Sequence, residues 1–373
     1  MVTYIAKNYK SILNVHKFID NWFWTKYGIN TYNGCQFGCI YCDSRSEKYY
    51  LPRDFHNTIM IKENVKDMLD KRLTRARKLL PDVVGMSGAN DPYQPAEIKY
   101  KNTRQCLEVI EKHNYPVHIC TKSTLVSRDL DLLEQIGTST WCTVSITITT
   151  PKSRMARFLE TRVPVPQKRF DVIKKIKTDT KHIQAGVLLI PVVPYLCDSD
   201  EDLEIMVKQT KEAGADYILF GGGMTMRDLQ AQWYLKHLKE RYPELIPHYE
   251  DLYRFHYNQD SYEGTYEPKK TYARMVDKKL AELCEKYKLR YRIKRFIPHD
   301  YRKENYAIAE KLFSIAYDNR IADKNWKNMY WTAHNIQNLR ESIVSVAIRN
   351  ELQTIRNVNG KIELLIKKAL YIL

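Results

Sequence analysis

Ile29-Asn30-Thr31-Tyr32-Asn33-Gly34-Cys35-Gln36-Phe37-Gly38-Cys39-Ile40-Tyr41-Cys42 joins a short β-forming run to three closely spaced cysteines. Working outward, the runs Ile29–Tyr32, Val83–Met86, Val117–Thr121, Cys142–Thr147, Gln184–Ile190 and Tyr217–Phe220 read as strands, being short and rich in β-branched and aromatic residues. Between them lie Val65–Arg77, Thr103–His113, Asp129–Ile136, Lys168–Lys177 and Glu201–Ala213, with apolar residues at helical spacing such as Leu203 and Val207. Strand and helix in alternation predict parallel strands joined by right-handed crossovers. Six such units, with chemically interesting residues just past the strands, predict an α/β fold with a partial TIM-like (β/α)6 barrel. An open doubly wound sheet is the alternative, and it would expose the same strand ends.

The chain has 373 residues with 60 Lys+Arg against 44 Asp+Glu, a formal charge of +16, and 44% hydrophobic residues including 27 Tyr. That composition excludes wholesale disorder. The longest apolar run, Ala185–Leu196, includes two prolines and is too short for a bilayer-crossing helix, which needs roughly twenty apolar residues, so no membrane partner is expected. No secretory leader is visible in Met1–Lys17, so the eight cysteines are read as reduced and cytoplasmic. The expected organisation is an N-terminal segment 1–27, the barrel 28–225, a region 226–300 with a basic strand, and a helical extension 301–373.

Cys35, Cys39 and Cys42 form CxxxCxxC directly after the first expected strand. Three thiolates on one loop can ligate three irons of a 4Fe-4S cluster and leave the fourth open to chelation by an amine and a carboxylate. The competing use is a Cys3His zinc site completed by a histidine such as His56.

The motif, with an aromatic before its last cysteine, resembles the radical SAM superfamily. Further segments are similar to its spore photoproduct lyase-related branch: Gly88-Ala89-Asn90-Asp91-Pro92-Tyr93-Gln94-Pro95-Ala96-Glu97, Thr103–Glu108, Thr121-Lys122-Ser123, Arg128–Leu133, Val144-Ser145-Ile146-Thr147 and Leu159-Glu160-Thr161-Arg162. The likeness runs from about residue 28 to 300 and stops near Tyr301. It implies a 4Fe-4S cluster on Cys35, Cys39 and Cys42, with S-adenosyl-L-methionine on the open iron. Tyr41 would lie near the adenine, and Gly88, Asn90 and Asp91 in the loop from Gly85 would meet the amino group. Ser145 would meet the ribose or carboxylate, and Arg162 the carboxylate. The reaction implied is reductive cleavage to a 5′-deoxyadenosyl radical that abstracts hydrogen, driven by an electron donor such as a flavodoxin or ferredoxin. Two departures argue against the lyase reaction itself: Asp43 replaces a tyrosine after the third cysteine, and Gly85 stands where the lyase has its hydrogen-donor cysteine. Cys120, ending the third strand, is the candidate catalytic thiol instead. Cys106, Cys142, Cys197 and Cys284 read as core or surface residues.

For substrate, the charge of +16 and abundant Tyr favour a polyanion, DNA or RNA, since neutralised phosphates release counterions and aromatics stack on bases. Lys288, Arg290, Arg292 and Lys294 alternate with Leu289, Tyr291 and Ile293 as in a strand with one basic face, which would track a phosphate backbone or merely protect a sheet edge. The rival functions are a peptide-modifying radical enzyme and a non-catalytic, zinc-stabilised nucleic-acid-binding module.

Overall fold

Val117–Thr121, Cys142–Thr147 and Tyr217–Phe220 fold as strands over those very residues in the computed structural model, which describes residues 1–75, 79–86 and 88–372. In chain order the strands are β1 (Thr3–Lys7), β2 (Leu13–Val15), β3 (Tyr27–Ile29), β4 (Tyr32–Asn33), β5 (Thr58–Lys62), β6 (Val84–Met86), β7 (Val117–Thr121), β8 (Cys142–Thr147), β9 (Ile183–Leu189) and β10 (Tyr217–Phe220). The main sheet runs β10-β9-β8-β7-β6-β3-β2, and every pair from β3 to β10 is parallel. Sequential parallel neighbours with helices between them are the (β/α)6 arrangement expected. Each residue of β8 is buried, as a parallel strand covered on both faces requires.

The helices follow their periodicity to within a few residues: Asn102–Lys112, Leu130–Ser139, Pro166–Asp179 and Asp200–Glu212. The last starts where the Ser199 hydroxyl accepts from the Asp202 amide at 3.2 Å, with three acids in its first turn. The helix expected over Val65–Arg77 runs from Val65 to Thr74, and its expected end reaches residues outside the described ones.

One expected strand is two. Ile29–Tyr32 breaks at Asn30 and Thr31, where the Asn30 side chain accepts from the amides of Gly88 and Ala89 and Thr31 pairs with Thr103. β3 then joins the main sheet, while β4 pairs antiparallel with β5, which also takes β1 in parallel. This small sheet holds together the two ends of the loop 34–57 that carries the cysteines. Residues 1–27 are therefore more than a leading segment, since β1 and β2 belong to the two sheets.

The chain divides into two compact units: Met1–His16 with Thr25–Tyr291, and Lys17–Trp24 with Arg292–Leu373. The second unit contains the helices Lys303–Ile321, Lys327–Gln337, Ile343–Ile348 and Gly360–Ile372, and Lys17–Trp24 is anchored to it by Trp24 Nε1 donating to Ile293 O at 3.0 Å. No helix among the described residues is long and apolar enough to cross a membrane.

The basic strand does not form. Lys288 sits in a left-handed turn at φ 50°, and Arg290 makes only an isolated bridge to Tyr217. Arg292 lies over the Trp24 and Tyr317 rings and donates to Asn21 O at 2.6 Å, while Lys294 is exposed in irregular chain. Alternating sequence specifies a strand only where an edge is available to pair with.

Candidate active site

The cysteine loop is built from backbone constraints. Gly34 has φ +90°, and a Cβ there would stand 2.5 Å from Thr58 O and 2.7 Å from Phe55 O. The Cys35 amide donates to Phe55 O at 3.0 Å, Gly38 to Cys35 O at 3.3 Å and Cys42 to Cys39 O at 3.2 Å. Side chains lock the loop to the segment after β6: Gln94 accepts from the Gln36 amide at 2.9 Å and donates to Gly34 O at 3.0 Å, while Gln36 accepts from the Ala96 amide at 2.6 Å. Gly34→Ala is expected to cost about 2–4 kcal/mol through left-handed strain and overlap with carbonyl oxygens. Urea midpoints and iron uptake would check it, and an unchanged midpoint would show that the turn relaxes freely.

Cys35, Cys39 and Cys42 line one pocket with Tyr41, Gly88, Asn90, Asp91, Cys120, Lys122 and Thr147. The cysteine loop follows β4, Cys120 lies near the C-terminal end of β7 with Lys122 just past it, and Thr147 ends β8, the strand ends that carry chemistry in such folds. Burial pushes the Cys35 thiol up to about 12, although the amides of Asp91 and Phe37 hydrogen-bond its sulfur, and burial also raises Cys39 well above its ordinary value. Binding iron would displace those protons. Burial opposes the charge of Lys122, yet Cys39, Glu160, Cys42 and Asp91 outweigh it and its pKa is raised.

Two observations test the fit of a cluster with a chelated cofactor. First, no three His, Cys, Asp or Glu among the described residues converge on a single metal position, so the thiols share a pocket without sharing an ion. His56 pairs with Asp54 at 3.3 Å and is not among the described residues lining the pocket. Second, Asn90 donates to Tyr32 O at 2.6 Å, while its Oδ1 is buried without a partner, an acceptor available to an ammonium group. The residues fit the group.

The other expected residues separate into two sets. Asp91 is engaged by the protein itself: Thr121 Oγ1 and the amides of Lys122 and Tyr93 donate to its carboxylate at 2.6, 2.7 and 2.9 Å. Gly88 stands on the pocket rim, and Ser87 beside it lies outside the described residues. Cys120 faces the pocket with its sulfur 3.6 Å from His118 Nε2. Ser145 is wholly buried one layer away, its hydroxyl shared between His118 Nε2 at 2.6 Å and Tyr217 OH. Gly186, paired with both Ser145 and Tyr217, makes room for that tyrosine, since a Cβ would meet its ring at 2.7 Å. Arg162 lines a different groove and donates to His56 O and Asn57 Oδ1 at 3.2 and 2.9 Å. Neither Ser145 nor Arg162 is among the described residues of the cysteine pocket.

Glu160, two residues before Arg162, is the residue of that segment that bears on the site. It is buried, accepts from Tyr41 OH and Thr149 Oγ1, and forms an ion pair with fully buried Arg169 at 2.6 Å; Arg169 also donates to Thr147 O at 2.7 Å. Burial works against the carboxylate, but Arg169 and Lys122 hold its pKa below the ordinary value. Arg169 had a sequence signal, a lone arginine in helical phase with Ile173 and Ile176, both buried. At the departure position, Asp43 accepts from Tyr49 OH at 2.8 Å and from Arg227, tying the loop to the start of the helix Asp228–Arg241.

A family model for the radical SAM superfamily matches residues 29–209, spanning all three cysteines. The chain belongs to the radical SAM superfamily. An uncharacterized Mycobacterium tuberculosis protein is 30% identical over 268 residues, 71% of this chain and 75% of that one. An uncharacterized Methanocaldococcus jannaschii protein is 30% identical over 221 residues, 59% and 77% of the two chains. In fold, this radical SAM enzyme is similar to spore photoproduct lyase complexed with dinucleoside spore photoproduct, at TM-score 0.56 and 14% identity over 76% of this chain and 79% of that one. The radical SAM cofactors are a 4Fe-4S cluster and S-adenosylmethionine, and the donor set above fits both.

Proposed function

We propose that this radical SAM enzyme abstracts hydrogen from a nucleic acid or nucleotide-like substrate in a reaction other than classical spore photoproduct repair. The observation that carries the site is the meeting of Cys35, Cys39 and Cys42 with the unpartnered Asn90 Oδ1 in one pocket. When bound and reduced, the cofactors supply a 5′-deoxyadenosyl radical. The protein's part is to hold and orient. Cys35, Cys39 and Cys42 would ligate three irons, and Asn90 Oδ1, with Gly88 nearby in the pocket lining, would accept from the amino group. Glu160 holds Tyr41, which would meet the adenine, and Cys120 would be the thiol offered to the substrate. The charge of +16 supports a polyanion, as does the fold shared with an enzyme whose structure holds a dinucleoside. A flavodoxin or ferredoxin is the electron donor in this reading.

The reduced, cluster-loaded protein is expected to convert S-adenosylmethionine to 5′-deoxyadenosine and methionine slowly alone and faster with a DNA or RNA oligonucleotide that it modifies. Asn90→Leu should weaken cofactor binding about tenfold or more, the loss of one hydrogen bond to a charged group. Chromatography and mass spectrometry read both outcomes. Methylthioadenosine as the sole product would refute the cleavage assigned, and stimulation by peptides but by no nucleic acid would refute the substrate class.

A further inference from the structure

A second cavity of about 510 Å³ opens beside the cysteine loop and shares Ser44 with the cofactor pocket. Its size falls in the range of small-molecule sites, about 300–1,000 Å³. Its lining includes the apolar Leu51, Pro52 and Leu229 as well as Arg45, Arg53, Lys236 and Trp233. The Arg45 guanidinium packs 4.0 Å from the Trp233 ring centroid and 4.9 Å from that of Phe55. Held there, it has no carboxylate partner among the described residues, only a 3.5 Å contact from Nη1 to Arg53 O. Its Nε and Nη2 are buried without hydrogen-bond partners, and so is Trp233 Nε1.

Unsatisfied buried donors are costly and rare. Three of them on two neighbouring side chains, with no orphaned acceptor on either, call for a ligand rich in acceptor oxygens. Glu47 and Asp260 also border the cavity, but both are exposed, where water and salt screen them. Asp54, whose charge acts on Arg45 through space, is occupied by His56 and Asn57. A planar, always-charged fork in a cavity that also has apolar lining residues matches a phosphoryl group attached to a ring system.

We propose that this cavity is a phosphate-binding subsite that takes a nucleotide, with phosphoryl oxygens on Arg45 and the rim cations Arg53 and Lys236, and the base on Leu51, Pro52 and Leu229. The inference deepens the proposed function and rests on it for the larger substrate, while the phosphate site itself stands on the unpartnered donors. The nucleotide is free or part of a strand, and the two sources bind through the same chemistry.

The test is calorimetric and uses the full chain without its cluster, so failure to assemble iron would bear on the proposed function and not on this site. Cytidine monophosphate is compared with cytidine, a pyrimidine being chosen because adenine-bearing probes would also enter the cofactor pocket. The monophosphate is expected to bind at least tenfold more tightly. Arg45→Met should remove that preference, and Arg45→Lys, which keeps the charge but loses the fork, should retain part of it. Arg53→Gln with Lys236→Gln, both exposed and harmless to folding, should weaken the monophosphate several-fold and flatten its salt dependence. A cytidine trinucleotide binding more tightly than the monophosphate supports a strand as occupant, and one binding no more tightly supports a free nucleotide. Equal affinity for cytidine and its monophosphate, or unchanged monophosphate affinity in the Arg53/Lys236 double variant and in any folded Arg45→Met protein, overturns the proposal.

Discussion

Replacing Cys35, Cys39 and Cys42 together by Ala is expected to give a folded, colourless protein whose iron content after anaerobic reconstitution falls from about four per chain to nearly none. The three thiols line one pocket, and each would hold a separate iron. The neighbouring amides of Asp91 and Phe37, which hydrogen-bond the Cys35 sulfur, can tune a cluster but cannot anchor one. Cys106, Cys142, Cys197 and Cys284 are buried in the core and give the matched control. Ala at those four positions should lower stability through small cavities while leaving the iron in place. Iron determination and visible absorption of both variants decide the matter. Iron retained in the triple variant, or lost in the control while its fold persists, would show that the ligands are misassigned.

Arg169→Met should destabilise the protein by about 3–5 kcal/mol, because buried Glu160 loses the cation bonded to it and keeps only the through-space pull of Lys122. Both side chains are fully shielded from solvent, so screening does not soften the effect. In the wild type the carboxyl of Glu160 is held below its ordinary pKa of about 4.3, so its contribution is present above that pH and fades as pH falls through the lower folded value. Without Arg169, burial is opposed by Lys122 and the Tyr41 hydrogen bond, and the folded pKa is expected to rise above the unfolded one. The variant's penalty is then absent at acid pH and grows as pH rises through that interval. Denaturant unfolding from pH 3 to 8 should show the gap between the two proteins widening with pH, and Glu160→Gln added to Arg169→Met should recover much of the loss at neutral pH. A gap independent of pH would mean that Arg169 acts through packing alone. Because Tyr41 hangs from Glu160, the single variant should also loosen the cysteine loop and lower iron occupancy.

Local signals carried the scaffold. The β8 run Cys142-Thr143-Val144-Ser145-Ile146-Thr147 was legible because β-branched residues and flanking helical periodicity act over a few positions, and CxxxCxxC was legible because one loop supplies all three thiols. The split of Ile29–Tyr32 was hidden, since it depends on Asn30 and Thr31 finding partners at Gly88, Ala89 and Thr103, dozens of residues away.

By itself the sequence determined the order of parallel strands, the loop that carries the thiols and the placing of Asn90 past one strand and of Cys120 near the end of another, all consequences of hydrophobic period and chain connectivity. Only the tertiary structure decided that Glu160 rather than Arg162 supports the site, that Ser145 is spent on His118 and Tyr217, that Arg292 is stacked among aromatics, and that Arg45 beside Trp233 has Nε and Nη2 buried without hydrogen-bond partners. The reason is physical: a polar side chain's role is set by which groups share its buried surroundings, and those come from segments whose approach no local pattern encodes.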